Sequence, residues 1–238
     1  MQIVTNEAYV RSRTNLGNYL NFASMALLVV GMVLSFMLDR FGSIALWLSY
    51  GALIIALMLL NVARPFTRRF GGKWRQDQWL IPNLKGLDTK ATLFNFASSK
   101  LPDHILVAPS GLYIFVPKPN GGTIRFDGVR WSRGNVAGSM LRSIGEGGLG
   151  NPIQDVRRSI ALVADYLRTN GSEELIQGLE AKPVIVFTNP SAQLEVRNTP
   201  FPIVTVRELR AIFRRAKPIL SDEKMEELKR ILGREIAG

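Results

Sequence analysis

Apolar residues concentrate in two runs, Leu20–Leu38 and Phe41–Ala63, separated only by Asp39 and Arg40. As helices they reach about 28 Å and 34 Å, against a hydrocarbon core of roughly 30 Å. The first run holds ten Leu, Val and Phe residues and the second eleven Leu, Ile, Val and Phe. That apolar content outweighs the few Asn, Ser and Gly between them. Burying both runs all round in a soluble core needs more protein than the roughly 170 residues left over. The pattern therefore predicts a transmembrane helical hairpin over 20–63, with spans 20–38 and 41–63. Tyr19, Phe22, Phe41 and Trp47 suit interfacial positions. Gly31 and Ser35 face Ala45, Ser49, Ala52 and Ala56 as small-residue surfaces for close helix contact, within the hairpin or between chains.

Beyond the runs the pattern shortens and alternates. A short amphipathic helix is predicted over 73–84, with Trp74, Trp79 and Leu80 inward. The runs Ala91–Phe96, Asp103–Ala108, Leu112–Pro117 and Thr123–Asp127, joined by Pro/Gly and Asn-Gly turns, predict an antiparallel meander continuing toward Trp131. Residues 134–151 hold six glycines and read as a loop. Pro152 opens a helix to Arg168, with Ile153, Val156, Ile160, Val163 and Leu167 at helical spacing. Ser172–Leu179 predicts a shorter helix. Pro183–Thr188 is apolar enough for a strand covered on both faces, and Ile203–Val206 a further strand. Ser221–Arg234 opens with a cap and predicts a C-terminal amphipathic helix. The fold class is α/β (α+β): a mixed β-sheet flanked by helices. The division is an N-terminal tail (1–19), the hairpin, a basic juxtamembrane linker (64–75), one globular domain (76–217) and the C-terminal helix (218–238).

Charge sets orientation. The chain carries a formal net charge of +11. Arg64, Arg68, Arg69, Lys73 and Arg75 contribute +5 of it with no acid among them, while residues 76–238 hold 22 basic against 17 acidic residues. Positive flanks stay inside, so both termini and the globular domain are expected in the cytoplasm, with residues 64–75 against lipid headgroups. A cleaved signal peptide fits poorly, because the first run is long and a second follows at once. The absence of cysteine removes disulfides and thiol catalysis, and a single histidine, His104, leaves no zinc site built on His and Cys.

One basic feature outlasts this subtraction. Arg207, Arg210, Arg214 and Lys217 fall at spacings of three, four and three, one face of a predicted helix over 206–217. It reads as a solvated face, a phosphate-binding stripe or a lipid-facing surface. Nucleic-acid binding would place these arginines on the same side as Asp103 and Lys118.

The segment from Leu101 to Lys118, with Asp103-His104, a Pro-Ser-Gly turn and a second apolar strand ending at Lys118, resembles the centre of the NERD, or nuclease-related, domain. Gly122, Trp131, Asn151-Pro152, Gln154 and the strand Val184–Phe187 resemble its later landmarks. The resemblance spans roughly residues 72–215. It implies a restriction-endonuclease-like fold of the PD-(D/E)XK type, in which an Asp on one strand and a Glu on the next hold Mg²⁺ or Mn²⁺. The metal activates a water and neutralises charge on phosphate, while a Lys orients that water. Asp103 stands at the Asp position and Lys118 at the Lys position. The Glu position is Val116, which has no lone pair to offer. Gln76 and Asp77 stand where the family often shows a helical Glu.

The resemblance therefore implies a membrane-anchored nuclease-related domain with a degenerate metal site, binding nucleic acid or a protein partner. The alternatives are an active nuclease with a relocated carboxylate (Asp77, Asp88 or Asp127) and a membrane scaffold or assembly module. Each residue also has a plainer role: Asp103 capping a turn, His104 packed in the core, Lys118 solvated at a strand end, and Gln154 capping its helix.

Overall fold

The structure is a computed structural model that describes residues 1–72, 75–134, 148–214 and 216–236, with only the backbone described at 38–41. The chain forms two compact units: Glu7–Arg75, and Met1–Asn6 together with Gln76–Gly238.

The first unit is a helical hairpin of α1 (Glu7–Phe36) and α2 (Leu38–Phe70). Both helices are long and apolar enough to cross a membrane. Large apolar side chains point outward along them, Phe22 at 75% and Trp47 at 77% exposure, which is the pattern of a lipid-facing surface. The inward seam is built from small residues. Val10, Gly17, Ser24 and Gly31 are buried at a seven-residue repeat along α1, opposite Ala45, Ala52, Ala56, Ala63 and Phe70. That repeat keeps one stripe of each helix on its neighbour. Ser24 Oγ donates to the Ala56 carbonyl at 2.7 Å and Ser49 Oγ to the Gly31 carbonyl at 2.8 Å. Of the small residues expected at the seam, Ser35 instead donates to Met32 O in its own helix at 2.7 Å.

Both helices outrun the apolar runs that announced them. Residues 7–19 are helix and not tail, because they pack on α2: Thr14 Oγ1 donates to the Phe70 carbonyl at 3.0 Å and Tyr9 meets Phe70 edge-on at 5.7 Å. Likewise 64–70 is the last part of α2 and not linker. A Cβ on Gly17 would meet Phe66 Cβ at 2.9 Å, and one on Gly31 would meet Ala52 Cβ at 3.3 Å. Gly31→Leu is therefore expected to spread the helices, an overpacking cost of about 1–3 kcal/mol. The cysteine-free chain allows a clean check: a Ser24→Cys/Ala56→Cys pair joined by a short thiol crosslinker should lose most of its intrachain product when Gly31→Leu is added.

The second unit begins at the N-terminus. Strand β1 (Gln2–Thr5) pairs in parallel with β2 (Thr92–Asn95), so residues 2–5 are sheet and not tail. The chain then runs through α3 (Asp77–Leu84), β2, β3 (His104–Ala108), β4 (Gly111–Lys118), β5 (Gly122–Phe126), β6 (Trp131–Arg133), α4 (Pro152–Asn170), the short α5 (Glu173–Ile176), β7 (Ala181–Phe187), β8 (Ala192–Val196), β9 (Ile203–Thr205), a 3₁₀ turn (Leu209–Ile212) and α6 (Asp222–Gly233). The main sheet has the order β1-β2-β3-β4-β7-β9. Strands β2, β3 and β4 form the expected antiparallel meander, then β7 and β9 add in parallel. Strand β5 leaves that meander: it pairs with β6 and β8 in a separate three-stranded sheet. Pro117 and Pro119 on either side of Lys118 mark the exit, since proline donates nothing to a ladder.

Alternation sorts the side chains of the main sheet into two apolar layers. Ile105, Val107, Leu112, Ile114 and Val116 pack under α4 and α6, through Val156, Val163, Met225, Leu228 and Ile231. Leu106, Tyr113, Phe115, Val184 and Val186 face the other way, against Leu80 and Leu84 of α3 and Leu209 of the 3₁₀ turn. The C-terminal helix is therefore part of this core and not a separate segment. Local chemistry sets its boundaries: Ser221 Oγ caps Lys224 N at 3.3 Å, and Asn151 Oδ1 caps Gln154 N at 3.3 Å with Pro152 just inside α4.

Candidate functional site

The end of the β3–β4 ladder gathers the residues singled out from sequence. His104 pairs with Phe115. Extending that register by one residue sets Asp103 across from Val116. By alternation Asp103, Val116 and Lys118 share the face that packs under α4. Asp103 is half-buried and its carbonyl accepts the Phe96 N–H at 2.7 Å. Phe96 takes a φ of +53° there and lays its buried ring edge-on to His104 at 5.1 Å.

Lys118 is not a free strand-end lysine. Its Nζ donates to Asp155 Oδ2 on α4 at 2.5 Å and to the Leu149 carbonyl at 3.4 Å, and its side chain is only 15% exposed. Asp155 lies one residue beyond Gln154, the α4 position that the sequence pointed to. Gln154 itself is exposed, and its backbone N–H takes the Asn151 cap. The lysine carbonyl accepts from Thr188 N at 2.9 Å, and Thr188 Oγ1 donates to Gln76 Oε1 at 2.6 Å. Thus α4, β4, β7 and the residue before α3 are tied together at this end of the sheet.

The carboxylates that sequence offered as substitutes for Val116 stand on three different segments. Asp77 is buried in the first turn of α3, whose Leu80 and Leu84 pack in the layer on the opposite face from Asp103. Asp88 follows α3 and caps Lys90 N at 2.8 Å. Asp127 sits in the β5–β6 turn of the second sheet, where the Arg130 and Val129 N–H groups hold its carboxyl below the usual range. Among the described residues no three His, Cys, Asp or Glu side chains group as a metal site would. What the Asp103 end offers is the half-buried Asp103, an apolar neighbour and a lysine whose charge is matched by Asp155.

His104 belongs to a polar row inside the sheet. Thr5, Asn95 and His104 occupy one register position on β1, β2 and β3. Asn95 Nδ2 donates to Thr5 Oγ1 at 3.2 Å, which turns Oδ1 toward His104 Nδ1 at 2.8 Å. The proton therefore sits on Nδ1. No local signal in residues 2–5 announces this row, because its partners lie some ninety residues along the chain.

The basic segment is not the helix that its spacing predicts. Among its described residues only Leu209–Ile212 is helical, and as a 3₁₀ turn. Glu208 accepts Thr205 N at 3.0 Å and Thr205 Oγ1 at 2.9 Å, tightening the chain into that turn. Among the described residues of the segment only Val206 and Leu209 are buried, too little apolar surface to hold three helical turns down. Arg207, Arg210, Arg214 and Lys217 are all exposed. With Leu209 and Phe213 in the α3 layer, this segment lies on the opposite face of the sheet from Asp103 and Lys118. Of the juxtamembrane residues, Arg75 grips Glu7 through both guanidinium nitrogens at 3.1 Å, and Arg69 lies over the Phe70 ring at 5.2 Å. Arg64 donates to Asn61 Oδ1 at 3.5 Å, Arg68 completes the last turn of α2, and Lys73 and Trp74 lie outside the described residues, as do 135–147 of the glycine-rich stretch.

No family model, no curated protein and no solved structure matches the chain.

Proposed function

We propose that this protein is a membrane-anchored, nuclease-related domain that has lost metal chemistry and acts as a binding module for nucleic acid or a protein partner; the basic residues expected beside Asp103 lie on the opposite sheet face and lend nucleic acid no support. The observation that carries this reading is the pairing of Lys118 with Asp155 beside Val116. A lysine already matched by a carboxylate, next to a side chain without lone pairs, is poorly placed to orient a metal-bound water. The resemblance to a restriction-endonuclease-like fold gains support from Asp103 and position 116 standing across adjacent strands, and from α3 preceding the meander. Two further features support a cytoplasmic domain. Arg64, Arg68 and Arg69 flank the second span without an acid among them. The pairing of β1 with β2 supports an N-terminus and a domain on one side of the bilayer.

The test is a cleavage and binding assay on the full chain in detergent micelles. With Mg²⁺ or Mn²⁺, neither DNA nor RNA is expected to be cut, and Asp103→Ala is expected to change nothing. Fluorescence anisotropy is expected to show binding that weakens steeply between 50 and 200 mM salt, as counterion release requires. Cleavage abolished by Asp103→Ala would overturn the loss of metal chemistry. Absence of binding at low salt would remove nucleic acid as the ligand.

A further inference from the structure

On the sheet face opposite Asp103, the loop after α3 and the 3₁₀ turn enclose a groove of about 450 Å³ lined by Gly86, Leu87, Asp88, Arg210, Phe213 and Arg214. A second hollow of about 170 Å³ continues from Leu87, Asp88 and Phe213 over Ala108 and Pro109. The combined space is of the size that small-molecule sites take. Its two ends differ in chemistry: guanidinium groups at one, apolar side chains at the other.

Among the described residues neither guanidinium has an ion pair or hydrogen bond. Lys90, Arg125 and Lys118, by contrast, each sit within 2.6 Å of a carboxylate oxygen. Arg210 is moreover laid across Gly86: a Cβ there would stand 2.3 Å from its Nη2, and Gly86 has a φ of +85° that favours glycine. The loop is thus shaped to let this arginine lie flat at the groove. Phe213 is held beneath by Tyr113 at 4.9 Å and Phe115 at 6.5 Å between ring centres. The acid of the groove, Asp88, has one oxygen engaged by Lys90 N–H. Glu208 is turned away to cap Thr205.

We infer that this groove is a phosphomonoester site, in which Arg210 and Arg214 take the phosphate and the hollow over Phe213 and Pro109 takes the group it esterifies. Two unpaired forks present ten N–H donors to three terminal oxygens, and guanidinium is the side chain suited to bidentate phosphate. A dianion matches two arginines better than a diester's single charge does, and Asp88 at the rim opposes it by one negative charge. The ester comes from a soluble metabolite or from a lipid headgroup at the membrane surface, and the chemistry is the same. This inference stands apart from the nucleic-acid reading, which concerns the other face of the sheet.

The experiment uses the full chain reconstituted in nanodiscs, with adenosine monophosphate, adenosine and inorganic phosphate as soluble probes and phosphatidic acid in phosphatidylcholine as the lipid probe. Calorimetry is expected to show binding of adenosine monophosphate or of phosphatidic acid, competed by phosphate, with adenosine silent. Response to the nucleotide marks a soluble ligand, and response to phosphatidic acid alone marks a headgroup. Arg210→Ala and Arg214→Ala are each expected to weaken binding at least tenfold, Gly86→Ala to weaken it by displacing Arg210, and Asp88→Asn to strengthen it. Arg168→Ala, on α4, serves as the unaffected control. Failure of every phosphate probe to bind, or binding that both arginine variants leave intact, overturns the inference. Nucleic-acid binding that persists in those variants leaves the reading of the Asp103 face untouched.

Discussion

Asn95→Ala is expected to lower the unfolding midpoint of the sheet domain by about 6–12 °C. The side chain is fully buried and bridges Thr5 on β1 to His104 on β3. Alanine leaves the His104 Nδ1–H and the Thr5 hydroxyl without their partner and opens space between them. An abandoned buried donor costs about 1–3 kcal/mol, and the missing contacts bring the total to about 3 kcal/mol. At 2–4 °C per kcal/mol for a domain of this size, that gives the stated range. Calorimetry of the full chain in micelles measures it. A fall below 2 °C would mean that the row contributes little and that β1 is held by its backbone pairing alone. Thr5→Val, which leaves the Asn95–His104 bond in place, is expected to cost only about a third as much.

Val116→Glu is the second large effect, and it has two signs. Position 116 is 8% exposed within the apolar layer under α4, so a carboxylate there is penalised by desolvation, about 2–4 kcal/mol at neutral pH. Burial raises the folded pKa of such a glutamate above its unfolded value near 4.3. In that window the folded state binds more protons than the unfolded one, so stability falls as pH rises through it. Mg²⁺ should oppose the loss if Asp103 and position 116 form the two-carboxylate arrangement that the resemblance implies. At ten times its dissociation constant the metal returns about 1.4 kcal/mol. The expected result is a variant that unfolds earlier than the wild type, increasingly so from pH 4 to 8, and recovers with Mg²⁺. Adding Asp103→Asn should abolish that recovery. A variant indifferent to Mg²⁺ would show that the two positions do not share a site, and with it the nuclease-related geometry would lose its main support.

What was legible in the sequence follows from how local each signal is. The two apolar runs, the helix opened by Pro152 and the strand Val184–Phe187 each carry their reason within a dozen residues, and each stands where the pattern put it. Strand β1 carries almost none: four residues with a partner in β2 cannot announce a sheet edge. The same holds for Asp155, which matters because Lys118 reaches it across 37 positions of sequence. Arg207, Arg210, Arg214 and Lys217 show the opposite failure, a helical spacing without the buried stripe that would make it a helix. Their charges were visible, but not that two of them flank a groove with Gly86. The division of the β runs between two sheets was hidden as well, although Pro117 and Pro119 mark the exit in hindsight.

The grip of Arg75 on Glu7 bears on how the protein would be assembled during synthesis. Strand β1 leaves the ribosome first, and its partner β2 follows some 86 residues later, a delay of about 4–17 s at ordinary elongation rates. Closing a flexible loop of that length would cost about 4 kcal/mol from the length-dependent entropy alone. Antiparallel packing of α1 on α2, clasped at its open end by the Arg75–Glu7 pair at 3.1 Å, brings residue 75 back beside residue 7 and leaves a much shorter stretch to close. On this account β1 is expected to pair only after the hairpin has formed, and an unpaired N-terminus would report a chain whose two helices have not yet packed.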